Sequence, residues 1–193
     1  MDPALDPQQT QLARDFTVAN YKDACATENK ATIAEGLRRR FIQRYIDPVT
    51  PAKGQKMDGF TMLAISCLMV ESLQSFYEGW KDTHGKSELA FRHFFDSHSQ
   101  FYCFRDHIPQ FYKNVRCGIL HQAETTGGWK ITRKFQAPLF DAATLTINAT
   151  HFLNCLRQIL SDFCDDLKAD VWDSELWRNV RSKMDALCEN CKP

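Results

Sequence analysis

The chain has 193 residues, and its 24 lysines and arginines are matched by 24 aspartates and glutamates. That length allows one compact domain with a real core, and the balanced charge excludes a global field drawing the protein to nucleic acid or an anionic membrane, so any anion site has to be local. The 14 phenylalanines point to a packed interior and exclude a disordered chain.

The opening MDPALDPQQT has no basic n-region and no apolar h-region, so no secretory signal is predicted and a cytoplasmic protein is expected. Ile33, Leu37, Phe41 and Tyr45 recur every four residues, which predicts a helix ended by Asp47-Pro48. Arg38, Arg39, Arg40 and Arg44 on that helix read as a solvated face, the alternative being a track for a phosphate backbone. Residues 48–58 break periodicity and are expected to form a loop.

From Gly59 to about Trp80 the chain is apolar on most faces, apart from a narrow polar stripe of Glu71, Gln74, Ser75 and Glu78. This marks the central helix of a bundle with the stripe exposed. Its apolar run over residues 60–70 is well short of the ~20 residues a membrane helix needs, so no membrane association is expected. A further helix is predicted over Ser87 to Ser97, and another whose stripe is Ile108, Phe111, Val115 and Ile119, opening near Pro109 and stopped by Gly127-Gly128. Residues 129–135 and 143–147 have strand character. A long amphipathic helix follows with Phe152, Leu156, Ile159, Leu160, Phe163 and Leu167 on one face, then a last helix over Ser174 to Cys188. The reading is an all-α helical bundle of five to six helices, with room for a small two-stranded hairpin insertion.

The eight cysteines are scattered along apolar helical faces and read as reduced core thiols. Cys188 and Cys191 have the spacing of half a zinc knuckle, but no second pair completes four ligands. Neither a metal nor a cofactor is expected. No P-loop, GxGxxG, GxSxG or HExxH signature occurs.

The stretch FYKNVRCGILHQAETTGGWKI, residues 111–131, carries Arg116 five positions before His121. On an ideal helix those positions lie roughly 140° apart around the axis and about 7.5 Å along it. Joint action on one phosphate therefore requires the helix to loosen after Gly118, or His121 to fall in the last turn. Arginine's planar, permanently charged fork suits phosphate, and histidine titrates near neutrality as a general acid or base. The plain structural readings of the same residues are an exposed salt bridge for Arg116 and a polar C-cap for His121.

Arg116-Cys117-Gly118-Ile119-Leu120-His121 resembles the R-x(4-6)-H motif of the HEPN superfamily (higher eukaryotes and prokaryotes nucleotide-binding domains). These are small α-helical domains, many of them metal-independent endoribonucleases of toxin–antitoxin, antiviral defence and RNA-processing systems. The resemblance covers the motif and the helical layout, residues 57–170, and implies a single HEPN-like domain over 1–193. It implies RNA as partner, a homodimer that joins two motifs in one cleft, and an antitoxin or defence protein as a further partner. Arg116 and His121 would be catalytic, with Asn114, Cys117, Glu71 and Tyr112 as supporting residues. Cys117 stands where the family commonly has a polar residue, so a catalytically silent module binding RNA, a nucleotide or a protein is the alternative. Glu71 reads either as a carboxylate orienting the pair or as a member of the exposed stripe, and Tyr112 either as a base-stacking ring or as core. Lys130, Arg133 and Lys134, just beyond the motif, are the expected RNA contacts.

Overall fold

A computed structural model describes residues 7–51 and 58–191. The fold is all-α in character, with only short strands. In chain order the elements are β1 (Gln11–Ala13), β2 (Phe16–Thr17), α1 (Val18–Ala26), α2 (Lys30–Phe41), α3 (Gly59–Tyr77), α4 (Ser87–Ser97), α5 (Ile108–Phe111), α6 (Cys117–Gln122), β3 (Lys130–Thr132), β4 (Phe140–Asp141), β5 (Thr146–Asn148), α7 (Ala149–Ala169) and α8 (Glu175–Glu189). A 3₁₀ stretch, Ser99–His107, links α4 to α5, and π-helical turns follow α2 (Ile42–Ile46) and α5 (Tyr112–Arg116). Of the loop expected over residues 48–58, residues 52–57 lie outside the described residues. The chain divides into two compact units: one takes in residues up to Arg44, 75–82 and 160 onward, the other residues 45–74 and 83–159.

In the first unit an antiparallel hairpin, β1 with β2, feeds α1. Thr17 Oγ1 accepts from the Asn20 backbone N–H at 3.2 Å, and Asn20 Oδ1 accepts from that of Thr17 at 2.9 Å, so two orphan donors at the helix start are satisfied reciprocally. Asn29 caps α2 in the same manner through the Thr32 N–H. Gly36 lets Phe16 lie across α2, since a β-carbon there would come within 2.5 Å of the ring. The four arginines of α2 and its π turn have local partners. Arg38 bonds Ser161 and Asp165, Arg39 bonds Glu35, and Arg40 and Arg44 both donate to the Leu12 carbonyl. Trp177, fully buried, donates its indole N–H to the Leu167 carbonyl at 2.9 Å, and Ser174 caps α8.

The second unit is built on aromatic packing. Phe91, Phe94, Phe95, Phe101, Phe104, Phe111 and Phe152 are all fully buried. Phe111 and Phe152 stack with centroids 5.9 Å apart, and Phe104, Phe140 and Trp129 continue the series. Offset and edge contacts of this kind contribute about 0.5–1.5 kcal/mol each beyond the area they bury. The two segments with strand character do pair, but in parallel: β3 lies beside β5 with Ile131 opposite Ile147, and β4 completes the order β3-β5-β4 on the far edge. Asn148, fully buried, fastens this sheet to α7. Its amide donates to the Lys134 and Ala137 carbonyls, and its Oδ1 accepts from the Thr150 and His151 N–H groups.

By length and composition α3 could cross a membrane, yet 61% of that window is buried within the protein, as expected of a core helix. The expected exposure of its polar stripe is corrected: Glu71 is 6% exposed, Gln74 3% and Ser75 not at all. The eight cysteines are all free thiols; Cys67, Cys164 and Cys188 are buried, while Cys103 is exposed, contrary to a core reading for it.

Candidate functional site

Residues 108–122 form one continuous helical run, α5, a π turn and α6. Pro109 occupies its first turn, where its missing N–H costs nothing. The buried aliphatic and aromatic residues Ile108, Phe111 and Val115 set which face points inward. Within the π turn the Cys117 N–H bonds the Tyr112 carbonyl, five residues back.

The irregularity thus precedes Arg116. After Gly118 the helix stays regular through Gln122, so the loosening there does not occur, and His121 falls in the last turn, the second of the two geometries the spacing allows. What Gly118 supplies is room. A β-carbon on it would sit 2.6 Å from the Glu124 carbonyl oxygen, so its absence lets the chain fold back on the helix it has just left. Ala123 makes that reversal in the left-handed region, at φ 55°, and its N–H bonds the Gly118 carbonyl.

Asn114 holds the returning chain. Its carbonyl accepts from the Thr126 N–H at 2.8 Å and its Oδ1 from the Thr126 hydroxyl at 3.0 Å. Gly127, at φ 61°, lies so close to the Asn114 side chain that a β-carbon would meet its Cγ at 2.8 Å. Asn114 is therefore a loop anchor and does not approach Arg116 as a polar partner.

Arg116 donates its Nε–H to Glu71 Oε1 at 2.6 Å, with the two side chains 15% and 8% exposed. Burial disfavours the Arg116 cation, but the hydrogen bond and charge of Glu71 outweigh it and raise the pKa above the usual arginine value. Glu71 thus orients Arg116 instead of facing solvent. Among the described residues the terminal guanidinium nitrogens make no further hydrogen bond. Tyr112 lies one turn before Arg116, its ring centroid 5.8 Å from the guanidinium carbon and 5.9 Å from the Phe91 ring. It is half-buried; burial, and then a hydrogen bond with Cys117, pushes its phenol up. Cys67, one turn before Glu71, is a buried thiol whose pKa burial raises, with Glu71 adding to the effect. Arg116, Glu71, Tyr112, Cys117 and Cys67 therefore form one cluster.

His121 stands apart from it. The residue is exposed and makes no hydrogen bond among the described residues. Its neighbour Leu120 is 55% exposed, and Leu68 on α3, one residue after Cys67, is 45% exposed. On a regular helix the Arg116 and His121 side chains leave the axis roughly 140° apart. One chain therefore offers a fixed cation and an exposed imidazole on different sides of one helix.

Of the basic residues beyond the motif, Lys130 is exposed on β3, and Arg133 bonds the Thr150 hydroxyl at 3.3 Å. Both line a cavity of about 590 Å³ together with Asp58, Phe60, Glu124 and Trp129. Lys134 is exposed outside it. Among the described residues no group of three or more histidines, cysteines and carboxylates is placed to hold a metal ion. The residues that sequence reasoning missed, Asn148 and Thr126, carry a readable signal in part. Asn148 is an N-cap type directly before the periodic run of α7, whereas the partner of Thr126 depends on the π turn. The chain matches no protein-family model, no curated protein and no solved structure.

Proposed function

We propose that the protein is a metal-independent endoribonuclease of HEPN type, acting in the cytoplasm as a homodimer and serving as a toxin or defence effector. The observation that carries this reading is the state of Arg116. Glu71 fixes it through Nε alone, which keeps it charged and leaves the terminal N–H groups for a phosphate, one and a half turns before an exposed, unbonded His121. In the reaction one imidazole removes the proton of a 2′-hydroxyl, whose oxygen attacks the adjacent phosphorus. Arg116 stabilises charge on the nonbridging oxygens. The bond from phosphorus to the 5′-oxygen breaks, and a second imidazole protonates that oxygen, leaving a 2′,3′-cyclic phosphate and a 5′-hydroxyl.

One chain supplies one His121. A second copy placed across a twofold axis supplies the other, and the exposed Leu68 and Leu120 give that contact apolar surface. Wild type and His121→Ala are incubated with total RNA in EDTA. Wild type is expected to give 2′,3′-cyclic ends and the variant none, while the unfolding free energy of His121→Ala in urea stays within ~0.5 kcal/mol of wild type because the residue is exposed. Cleavage that disappears with chelator, or that survives in His121→Ala, refutes the reading.

A second reading, a catalytically silent module that binds RNA, a nucleotide or a protein, is favoured by one observation. The Arg116 charge is already neutralised by a carboxylate at 2.6 Å. RNA binding without cleavage, by a protein of unaltered fold, would select it.

A further inference from the structure

The cavity below the exit of α6 is formed by three separate pieces of the second unit. They are the start of α3 (Asp58, Gly59, Phe60), the loop after α6 (Ala123, Glu124, Thr125) and residues 129–133 around β3. Its volume, about 590 Å³, falls in the range of small-molecule sites, ~300–1,000 Å³. Its rim begins two residues after His121.

The charges that line it are two carboxylates, Asp58 and Glu124, and two cations, Lys130 and Arg133. They cancel, which disfavours a bare polyanion and favours a ligand with both a neutral hydrogen-bonding part and a phosphate. The carboxylates are pre-oriented. Glu124 Oε1 accepts from the Thr125 N–H at 2.9 Å, while the Thr125 hydroxyl donates to the Trp129 carbonyl, and Asp58 Oδ2 accepts from the Thr61 N–H and hydroxyl. One oxygen of each carboxylate has no protein donor among the described residues. Fixed acceptors of this kind favour a ligand edge that donates. Phe60, half-buried, supplies an aromatic surface, and the stem of Arg133 packs at Gly59, where a β-carbon would come within 3.2 Å of its Cγ.

We infer that this cavity is a nucleobase subsite that takes the base next to the scissile phosphate and prefers one bearing an exocyclic amino group, adenine, cytosine or guanine, over uracil. The inference rests on the ribonuclease reading for its position beside His121, but the subsite itself is defined by binding. The amino group donates to the free oxygens of Glu124 and Asp58, the base stacks on Phe60, and Lys130 with Arg133 faces the phosphate. Uracil offers a single N3–H donor flanked by two carbonyl oxygens that the same carboxylates repel, and is disfavoured.

The test is titration of the full chain with the 3′-monophosphates of adenosine, cytidine, guanosine and uridine, followed by fluorescence of the lining Trp129 and by calorimetry. At least one amino-bearing nucleotide is expected to bind about tenfold or more tightly than uridine monophosphate. Glu124→Gln should shrink that difference, and Phe60→Ala and Lys130→Glu should weaken all four. Lys130 is exposed, so its variant tests the subsite even where Phe60→Ala fails to fold. Equal affinity for all four nucleotides, no saturable binding at millimolar concentration, or binding unchanged in both Glu124→Gln and Lys130→Glu overturns the inference. Absence of cleavage by the wild type with the base preference present counts against the nuclease alone, and absence of preference in a wild type that cleaves counts against the subsite alone.

Discussion

Breaking the pair between Glu71 and Arg116 probes both the fold and the site. The Nε to Oε1 distance is 2.6 Å, and the side chains are 15% and 8% exposed, so both charges have left most of their water and each is the other's main compensation. Glu71→Gln keeps the shape and an acceptor but removes the countercharge. A charged hydrogen bond is worth about 1.5–3 kcal/mol net, and the residual access of solvent to Arg116 places the expected loss at about 2–3 kcal/mol. Arg116→Met strands a buried carboxylate, and the expected loss is larger, about 3–5 kcal/mol. The double variant should cost less than the two together by about 2 kcal/mol, because once one partner is gone the other has nothing left to lose. Urea denaturation of the four proteins at pH 7 and constant m-value measures all of this. Additivity within ~0.5 kcal/mol would refute the claim that the two charges compensate each other. The same variants separate the functional readings, since the nuclease requires Glu71→Gln to lose cleavage at concentrations of urea where it remains folded.

Two further outcomes follow from the geometry. Gly118→Ala gains up to about 1 kcal/mol of helix propensity but drives a methyl to 2.6 Å from the Glu124 carbonyl. The net change should be a destabilisation of about 1–2 kcal/mol in urea, and a more stable variant would show that the returning loop is not held against the helix. Stability should also fall in alkali. Burial pushes the Cys164 thiol up to about 12 and Cys188 up to about 11 from an ordinary value of 9.0. Acids with raised pKa values in the fold bind more protons folded than unfolded, so their contribution is complete below pH 9 and is lost as pH rises through 11 and 12. Urea midpoints at pH 7.5, 9 and 10.5 should decline, with a shallower decline in Cys188→Ala; a flat profile contradicts the buried neutral thiols.

Helix existence and extent were legible where apolar periodicity is strong, whereas α1, despite its Thr17 capping box, has no counterpart in the sequence reading. The predicted span Ser87 to Ser97 is that of α4, and the last helix, predicted from Ser174, starts one residue later at Glu175 because Ser174 is its cap. Less legible were features that depend on partners distant in sequence. The 3₁₀ stretch Ser99–His107 shows no period that distinguishes it from the start of the next helix. The parallel pairing of β3 with β5 needs a third strand that two residues, Phe140 and Asp141, hardly announce. Glu71 reads as surface on composition, and only the arrival of Arg116 from 45 positions along the chain makes its burial affordable. At the motif, spacing alone narrowed the geometry to two choices, and tight packing around Gly118, which no spacing rule encodes, accompanies the regular one.

The π turn over Tyr112–Arg116 also makes chain length a structural variable in its own right. It accommodates one residue more than a regular helix would, and deletion of that residue would restore ideal hydrogen bonding locally. The turn therefore lets the residues beyond it keep the phase that a helix one residue shorter would give them. A deletion within the regular α6 has no such reserve, and everything beyond it would turn by about 100°, carrying Thr126 away from Asn114. Loss of one residue from the π turn is expected to be the milder change, whereas the same loss from α6 should displace His121 and the loop anchor in a single step.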